Sequence, residues 1–295
     1  MSDWKLMARQ LARNPLSLMG IIIIVIFIII AIFAPLIAPA PEGHLNPYMI
    51  PRDSYVATPN PPSEEHIFGT TEGQYDIFYG VIWGARSAFR VALVVISITL
   101  LVGITLGSLA GYFGGVLDEI IMRITDIFMA FPTLILAMAI VAAMGPSLRS
   151  VMIALTAVWW PSYARLIRGD ILQVREEDYI EASRGLGASS GRVIVRHVLP
   201  NAIYPCLIMA SLDIGAVVLS AAALSFLGLG VPEGYADWGQ LTSFARNWMV
   251  GPPGNPFKYW YAVITPGAFI LFFVLGWNLL GDAFRDILDP RLARR

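Results

Sequence analysis

The chain is poor in the residues on which metal, disulfide and nucleotide sites depend. It contains one cysteine, Cys206, which excludes an intrachain disulfide. Its three histidines are scattered, and no group of cysteines and histidines has the spacing of metal ligands. Only two lysines occur, Lys5 and Lys258, and neither lies in a Gly-x4-Gly-Lys-Ser/Thr loop. The sequence therefore predicts no metal site and no ATP site in this chain.

Charge is also scarce, since only 14% of the 295 residues are charged and 57% are hydrophobic. A soluble domain of this length is much less apolar, so the composition indicates a polytopic membrane protein. The net charge of −1 gives no indication of nucleic-acid binding. We predict an all-α integral membrane protein with six transmembrane helices, at about residues 16–38, 91–112, 118–144, 151–167, 202–227 and 260–280.

The arrangement of these spans predicts the sidedness of the chain. The first apolar run is longer than the core of a signal peptide, so we interpret it as an uncleaved span. With both termini in the cytoplasm, fourteen of the twenty basic residues lie inside, as the positive-inside rule requires. We expect a cytoplasmic segment at 1–15, the first span at 16–38, a proline-rich extracytoplasmic loop at 39–87, and a core at 88–295 with the other five spans.

Small residues recur along one face of the second predicted span. Gly103, Gly107 and Gly111 are spaced by four residues. This doubled small-xxx-small pattern is typical of a helix face that another helix approaches closely. We therefore predict a packing contact at this face.

Charged residues within the spans are candidates for structure or for a substrate pathway. Glu119, Arg123 and Asp126 lie at i, i+4 and i+7, which predicts one internally neutralised cluster with a structural role. Asp213 lies near the middle of the fifth span, where an acid faces either a pore or a partner helix. Both interpretations of Asp213 stay open. We take Asp126, Asp213 and Asn278 as candidate pathway residues.

A polar segment of about thirty residues, 168–200, interrupts the apolar pattern. The run from Val174 to Ser183 contains no glycine or proline and predicts a helix, and Gly185 and Gly187 favour a sharp turn after it. Ser189 is a candidate N-cap for a second short helix, which Leu199-Pro200 would end. The apolar residues of that second helix predict one stripe: Val193, Ile194, His197 and Val198.

This segment carries a family resemblance. Glu181-Ala182-Ser183 is followed after three residues by Gly187, and after eleven more residues by Leu199-Pro200. The pattern resembles the cytoplasmic loop of permease subunits in ABC-type importers. His197 replaces the usual aliphatic residue, a variant found in the oligopeptide, dipeptide and nickel branch. We call residues 168–200 the coupling loop.

Other motifs resemble the same branch and extend the similarity over nearly the whole chain. They are His66–Thr70, Asp76–Phe78, Gly80–Ser87, Leu224–Gly230 with Trp238-Gly239, and the C-terminal run from Asn278 to Arg291. One departure occurs where relatives have Gly-Arg-Asp, because this chain reads Gly73-Gln74-Tyr75-Asp76. That difference leaves the geometry of the preceding loop open.

The resemblance implies a type I (MetI-like) importer permease of the DppC/OppC-like kind. It implies a second permease subunit, two cytoplasmic ATPase subunits that bind ATP and Mg, and an external solute-binding protein, with no cofactor and no catalytic residue in this chain. It assigns the ATPase contact to residues of the coupling loop: Tyr179, Glu181, Ala182, Ser183, Gly185, Gly187, Leu199 and Pro200.

Several functions remain open at this point. Di- or oligopeptides are the first expectation for the cargo, and nickel complexes, glutathione and oligosaccharides are alternatives within the same family. A secondary transporter or channel would use Asp126 and Asp213 as a relay, but it would leave the coupling loop without a role. A membrane enzyme is the least favoured class, since the sequence shows no pair of nucleophile and base.

Overall fold

The computed structural model describes residues 14–41, 43 and 45–288, which form a bundle of helices with a cap of loops. The predicted cytoplasmic segment at residues 1–13 and the end of the C-terminal motif at 289–295 lie outside these residues. The long helices are α1 (Pro15–Ile37), α2 (Ile77–Phe113), α3 (Gly115–Met129), α4 (Thr133–Met144), α5 (Leu148–Val174), α9 (Tyr204–Phe226) and α11 (Trp260–Leu288). The short elements are α6 (Asp178–Gly185), α7 (Ser190–Val193), a π-helical turn (Ile194–Val198), α8 (Leu199–Ala202), α10 (Trp238–Phe244) and a 3-10 turn (Arg246–Trp248).

Four of these helices are long and apolar enough to cross a membrane: α1, α2, α9 and α11. The pair α3 and α4 passes the same criterion together, but it is bent by 90°. The third span predicted at 118–144 corresponds to this bent pair, and the break within it was not foreseen from the sequence. Pro132 has no N–H to donate and disfavours helical geometry at Phe131, so α3 ends before it and α4 begins after it.

The fourth predicted span, 151–167, lies within α5. Its 27 residues correspond to about 40 Å, which is more than the ~30 Å hydrocarbon core requires. Its charged residues are confined to its ends, at Arg149 and at 165–170. The middle of α5 is buried inside the bundle, where Leu155 and Tyr163 are almost inaccessible.

The α2–α5 contact has the glycine face that the sequence predicted. A Cβ atom at Gly103, Gly107 or Gly111 would lie 3.0 Å or less from an atom of α5. The backbone of Ala164 opposes Gly107, so no larger residue fits there without moving a helix. The glycines therefore set the distance between the two central helices.

α2 begins about ten residues before the predicted core boundary at residue 88. Asp76 is its N-cap, and the carboxylate Oδ1 accepts a hydrogen bond from the Tyr79 backbone N–H at 2.7 Å. The helix is 37 residues long, about 55 Å, so it extends beyond a membrane at one or both ends. The proline-rich segment is accordingly shorter than expected.

The cap consists of residues 38–41, 43, 45–76 and 227–259, and it lies at the end of the bundle where α2 starts. Tyr48 stacks on Tyr235 with ring centroids 5.3 Å apart, and the Ala236 N–H donates to the Tyr48 carbonyl at 2.7 Å. Trp248 Nε1 donates to Glu72 at 2.8 Å. These contacts join two segments that are far apart in sequence into one ordered unit.

Gln74 lies where the sequence departs from the Gly-Arg-Asp motif of the relatives. It has φ +62°, and its side chain is 2% exposed. Its Oε1 accepts hydrogen bonds from Asn60 Nδ2 at 2.7 Å and from Thr70 Oγ1 at 3.0 Å. Because an amide both accepts and donates, this residue holds the proline-rich segment from inside.

Candidate functional site

The coupling loop lies at the opposite end of α2 from the cap. Arg175, which follows α5, donates from Nη1 to the carbonyl of Gly111 at 2.8 Å. The guanidinium of Arg184 lies over the ring of Tyr112 at 4.9 Å. Since Gly111 and Tyr112 are in the last turn of α2, the loop is attached to that end of the bundle.

The turn between α6 and α7 is a Schellman motif centred on Gly187. This residue has φ +83°; its N–H donates to the carbonyl of Arg184 at 2.9 Å, and the Ala188 N–H donates to Ser183 at 3.2 Å. The left-handed conformation favours glycine at this position. Gly185 has no positive φ and lies within α6, so the predicted turn depends on Gly187 alone.

Buried anchors hold the loop against the bundle. Ile180, Val193 and Val198 are completely buried, which confirms two members of the predicted apolar stripe; Ile194 and His197 are half-buried. A rigid inner face of this kind allows the loop to move with the helices that it contacts.

The outer face of the loop is open and partly apolar. Leu186 is 90% exposed, Val195 is 68% exposed and Tyr179 is 45% exposed. Of the other residues assigned to the ATPase contact, five are exposed and two are half-buried: Glu181, Ala182, Gly185, Gly187 and Pro200, and then Ser183 and Leu199. Exposed large side chains on a well-ordered elbow are typical of a surface that another protein covers.

The second half of the loop differs from the prediction. Leu199-Pro200 does not end the helical unit, because α8 continues to Ala202. A π-helical turn precedes it, and the Leu199 N–H donates to the carbonyl of Ile194, five residues back. Pro200 has no N–H, and its ring clashes with the carbonyl of the preceding turn of an α-helix. The wider π-helical turn before it avoids that clash. Ser189 occupies the N-cap position of α7 without a capping hydrogen bond from its side chain.

Residues 187–191 spell Gly-x-Ser-x-Gly, which is also the letter pattern of a hydrolase elbow. That elbow connects a strand to a helix, whereas these residues connect two short helices. No side-chain hydrogen bond of Ser189 is found within the described part of the chain. The geometry is therefore that of a turn rather than of a nucleophile.

The predicted cluster of Glu119, Arg123 and Asp126 does not form. Glu119 and Arg123 are 4.0 Å apart and both are largely exposed. Asp126 pairs instead with Arg165 of α5. The local spacing in α3 predicted that the three residues lie together. Instead, Arg165 of α5 forms the ion pair with the Asp126 carboxylate.

A second pair between the same helices was not predicted from the sequence. Arg168 donates from Nε and Nη2 to the two carboxylate oxygens of Asp118, at 2.5 Å and 2.6 Å. This bidentate geometry is the strong form of an arginine–carboxylate contact. It fixes the start of the coupling loop to the start of α3, and the fifty residues between the two partners explain why no local pattern indicated it.

Asp213 faces a partner helix. Its Oδ2 accepts a hydrogen bond from the Tyr163 hydroxyl at 2.7 Å, and Tyr163 is completely buried. Asn278 is exposed on α11, and the Asp126 side chain is 54% exposed. In the described residues no hydrogen bond or ion pair joins any two of these three candidates, so the structure does not bring them together.

Sequence reasoning also missed Asp170, in the last turns of α5. Its Oδ2 is buried and has no hydrogen-bond partner among the described residues. Burying a carboxylate oxygen without a hydrogen-bond partner raises the free energy of the folded state, so Asp170 is a polar group in the packed contact between α5 and its neighbours. Over the same residues, no group of three or more His, Cys, Asp or Glu side chains is placed to hold a metal ion.

Fold and site together define a class: a helical membrane protein with an exposed elbow between two of its long helices. The comparisons with known proteins agree. The chain belongs to the family of binding-protein-dependent transport system inner membrane components, whose model matches residues 103–294. A second model, the N-terminal TM domain of oligopeptide transport permease C, matches residues 2–56.

Individual relatives cover almost the whole chain. It is 40% identical over 291 residues to the dipeptide transport system permease protein DppC of Alkalihalophilus pseudofirmus, covering 99% of this chain and 91% of the relative. It is 35% identical over 294 residues to the oligopeptide transport system permease protein OppC of Bacillus subtilis, covering 100% and 92%. An inward-facing structure of the MetNI methionine ABC transporter shares the fold, with TM-score 0.56, 19% identity, and coverage of 72% and 97%.

Proposed function

We propose that this chain is one of two permease subunits of an ATP-driven importer of di- and oligopeptides. The observation that carries the proposal is the coupling loop, which combines completely buried anchors at Ile180, Val193 and Val198 with an open outer face at Leu186 and Val195. In this proposal, ATP and Mg bind only to the two separate ATPase subunits. An external solute-binding protein delivers the cargo.

The loop can convert closure of the ATPase pair into movement of the helices. Two arginines connect it to the bundle, since Arg168 holds Asp118 of α3 and Arg175 holds the end of α2. A pull on the exposed elbow is therefore transmitted to two membrane helices and not lost in a flexible linker. ATP drives the change because its engaged state binds the inward-open and outward-open conformations with different free energies.

We propose peptides as the substrate because the relatives include dipeptide and oligopeptide transport proteins, and no cavity within the described residues identifies a ligand. The candidate pathway residues Asp126, Asp213 and Asn278 are proposed to line the route only where the second permease completes it. Glutathione, nickel complexes and oligosaccharides remain the alternatives. The ligand that the solute-binding protein retains on purification decides among them.

A cysteine cross-link tests the docking of the elbow. The natural Cys206 is buried, so a cysteine at Leu186 would be the accessible thiol. We expect Leu186→Cys to cross-link to an ATPase subunit in membranes that contain the complete transporter. Leu45→Cys is the matched control, because Leu45 is a fully exposed leucine in the cap. Cross-linking of Leu45→Cys alone, or uptake that needs a proton gradient and no ATP, would contradict the proposal.

A further inference from the structure

A groove of about 530 Å3 runs between α1 and α2 below the cap. Its walls are Ile28 and Ile32 of α1 and Phe89 and Leu93 of α2. Ile32 is 62% exposed and Leu93 is 54% exposed, so the groove opens sideways from the bundle. Because both helices are membrane spans, the opening faces the hydrocarbon region.

One end of the groove is positively charged. Arg86 lines it beside Tyr48, and the Arg86 guanidinium lies 5.2 Å from the ring centre of Trp83. Arg90 is exposed one turn further along α2. Within residues 14–41, 43 and 45–288, neither arginine forms an ion pair. Two arginines without an acidic partner at the membrane surface attract an anion.

We propose that the groove binds a glycerophospholipid of the leaflet on the cap side. The phosphate would accept hydrogen bonds from Arg86, whose planar guanidinium matches two phosphate oxygens. One acyl chain would lie along Ile28, Ile32, Phe89 and Leu93. The bound lipid would supply the negative charge that the described residues of α2 lack.

The shape of the walls favours an acyl chain over a helix of the second permease. Helices that pack closely in membranes meet at small residues, as Gly103 and Gly107 do against α5 further along α2. The rim of the groove consists instead of large side chains, Ile32 and Leu93. A flexible chain fills the irregular space between such side chains, whereas a rigid helix would leave voids.

The position of Arg86 agrees with a phosphate at the membrane surface. It lies nine residues after the first residue of α2, about 14 Å along the helix axis. The predicted membrane span begins at residue 91, so Arg86 is just outside the apolar region. Long basic side chains commonly reach the headgroup level from such a position.

Photolabelling of the complete transporter in lipid nanodiscs tests the proposal. The probe is phosphatidylglycerol with a photoreactive group on one acyl chain, and labelled peptides are quantified by mass spectrometry. We expect the segments around Ile28 and Leu93 to be labelled more strongly than the exposed α11 surface at Ile264 and Leu271, which reports bulk lipid. Excess inorganic phosphate should not compete, since the acyl chain contributes to binding.

Substitutions at the charged end provide the decisive comparison. Arg86→Gln should reduce the excess labelling about fivefold, and Arg86→Lys should retain most of it. Arg149→Gln is the control, because Arg149 is exposed at the start of α5 and does not line the groove. If Arg86→Gln prevents assembly, the proposal is tested by two other results. These are the labelling of the groove segments above bulk lipid in the wild type, and the retention of that labelling in Arg86→Lys. Labelling equal to bulk lipid in the wild type, or a cross-link from Leu93→Cys to the second permease, would overturn the proposal.

Discussion

The imidazole of His66 is held between two carboxylates, and its Nδ1 lies 2.6 Å from Oδ2 of Asp76, the residue that caps α2. Its Nε2 lies 2.7 Å from Oδ2 of Asp53 in the proline-rich segment. Both ring nitrogens donate only when the imidazole is protonated. Burial alone lowers the pKa of His66, but the hydrogen bonds and charges of Asp76 and Asp53 outweigh it and raise the pKa above 6.5.

The first prediction is that the cap loses stability as the pH rises above 6.5. Because the folded-state pKa of His66 is raised, its contribution is complete below pH 6.5 and is lost as the pH rises through the folded-state pKa. We expect protease cleavage within residues 53–66 to increase over that pH range. His66→Gln should show increased cleavage at all pH values and no transition. Asp76→Asn retains a capping side chain, so it should weaken the transition without unfolding α2. An unchanged transition in His66→Gln would rule out this histidine as its source.

The second prediction concerns the turn of the coupling loop. Gly187→Ala places a Cβ on a residue with φ +83°, which costs about 1–2 kcal/mol. Gly185→Ala is the matched control, because it lies in a helix two residues away and, like Gly187, has no atom within 4 Å of the added Cβ. We expect Gly187→Ala to reduce ATP-dependent uptake in proteoliposomes several-fold relative to ATP hydrolysis, and Gly185→Ala to leave the ratio unchanged. Gly187→Val should uncouple the two more strongly while leaving membrane insertion intact. Equal ratios in all variants would contradict the role of the turn.

The third prediction concerns the glycine face between α2 and α5. Gly107→Ala forces a methyl group into the backbone of Ala164, which we expect to destabilise the subunit by about 1–3 kcal/mol. Gly169→Ala adds the same methyl group to α5 at an open position and should stabilise the helix by about 0.5–1 kcal/mol. Thermal unfolding of the purified subunit in detergent separates the two. A midpoint for Gly107→Ala at or above the wild-type value would refute the close contact.

The fourth prediction is that Tyr163 and Asp213 are energetically coupled. Tyr163→Phe leaves a buried carboxylate without its donor, which costs about 1–3 kcal/mol. Replacing both partners, with Tyr163→Phe and Asp213→Leu together, should recover much of that loss. A double-mutant cycle on thermal stability measures the coupling. Additive effects would show that the hydrogen bond contributes nothing, and transport by the stable double variant reports whether Asp213 also serves the pathway.

Much of the fold can be read from local patterns. The apolar runs locate α1, α9 and α11, because about twenty apolar residues suffice to cross a membrane. The spacing of Gly103, Gly107 and Gly111 predicted the α2–α5 contact. Gly187 indicated the turn, since its left-handed backbone favours a residue without a Cβ.

What the sequence could not supply is the choice of partners over long distances. Asp126 pairs with Arg165 and Asp118 with Arg168, each across a helix boundary that no periodicity encodes. The 90° bend between α3 and α4 was missed for a different reason. Pro132 lies in an apolar run whose composition alone resembles a continuous span, and the position of the proline was the signal that could have revealed the break.

Trp238 gives the cap a mechanical consequence for any opening at that end of the molecule. The indole lies among Phe27 of α1 and Phe273 of α11, and its Nε1 donates to the carbonyl of Val81 in α2 at 2.9 Å. One side chain of the cap therefore contacts three membrane helices at once. The cap cannot separate from the bundle unless α1, α2 and α11 also move, so we expect an outward opening for cargo to form at the edge of this subunit and not beneath its cap.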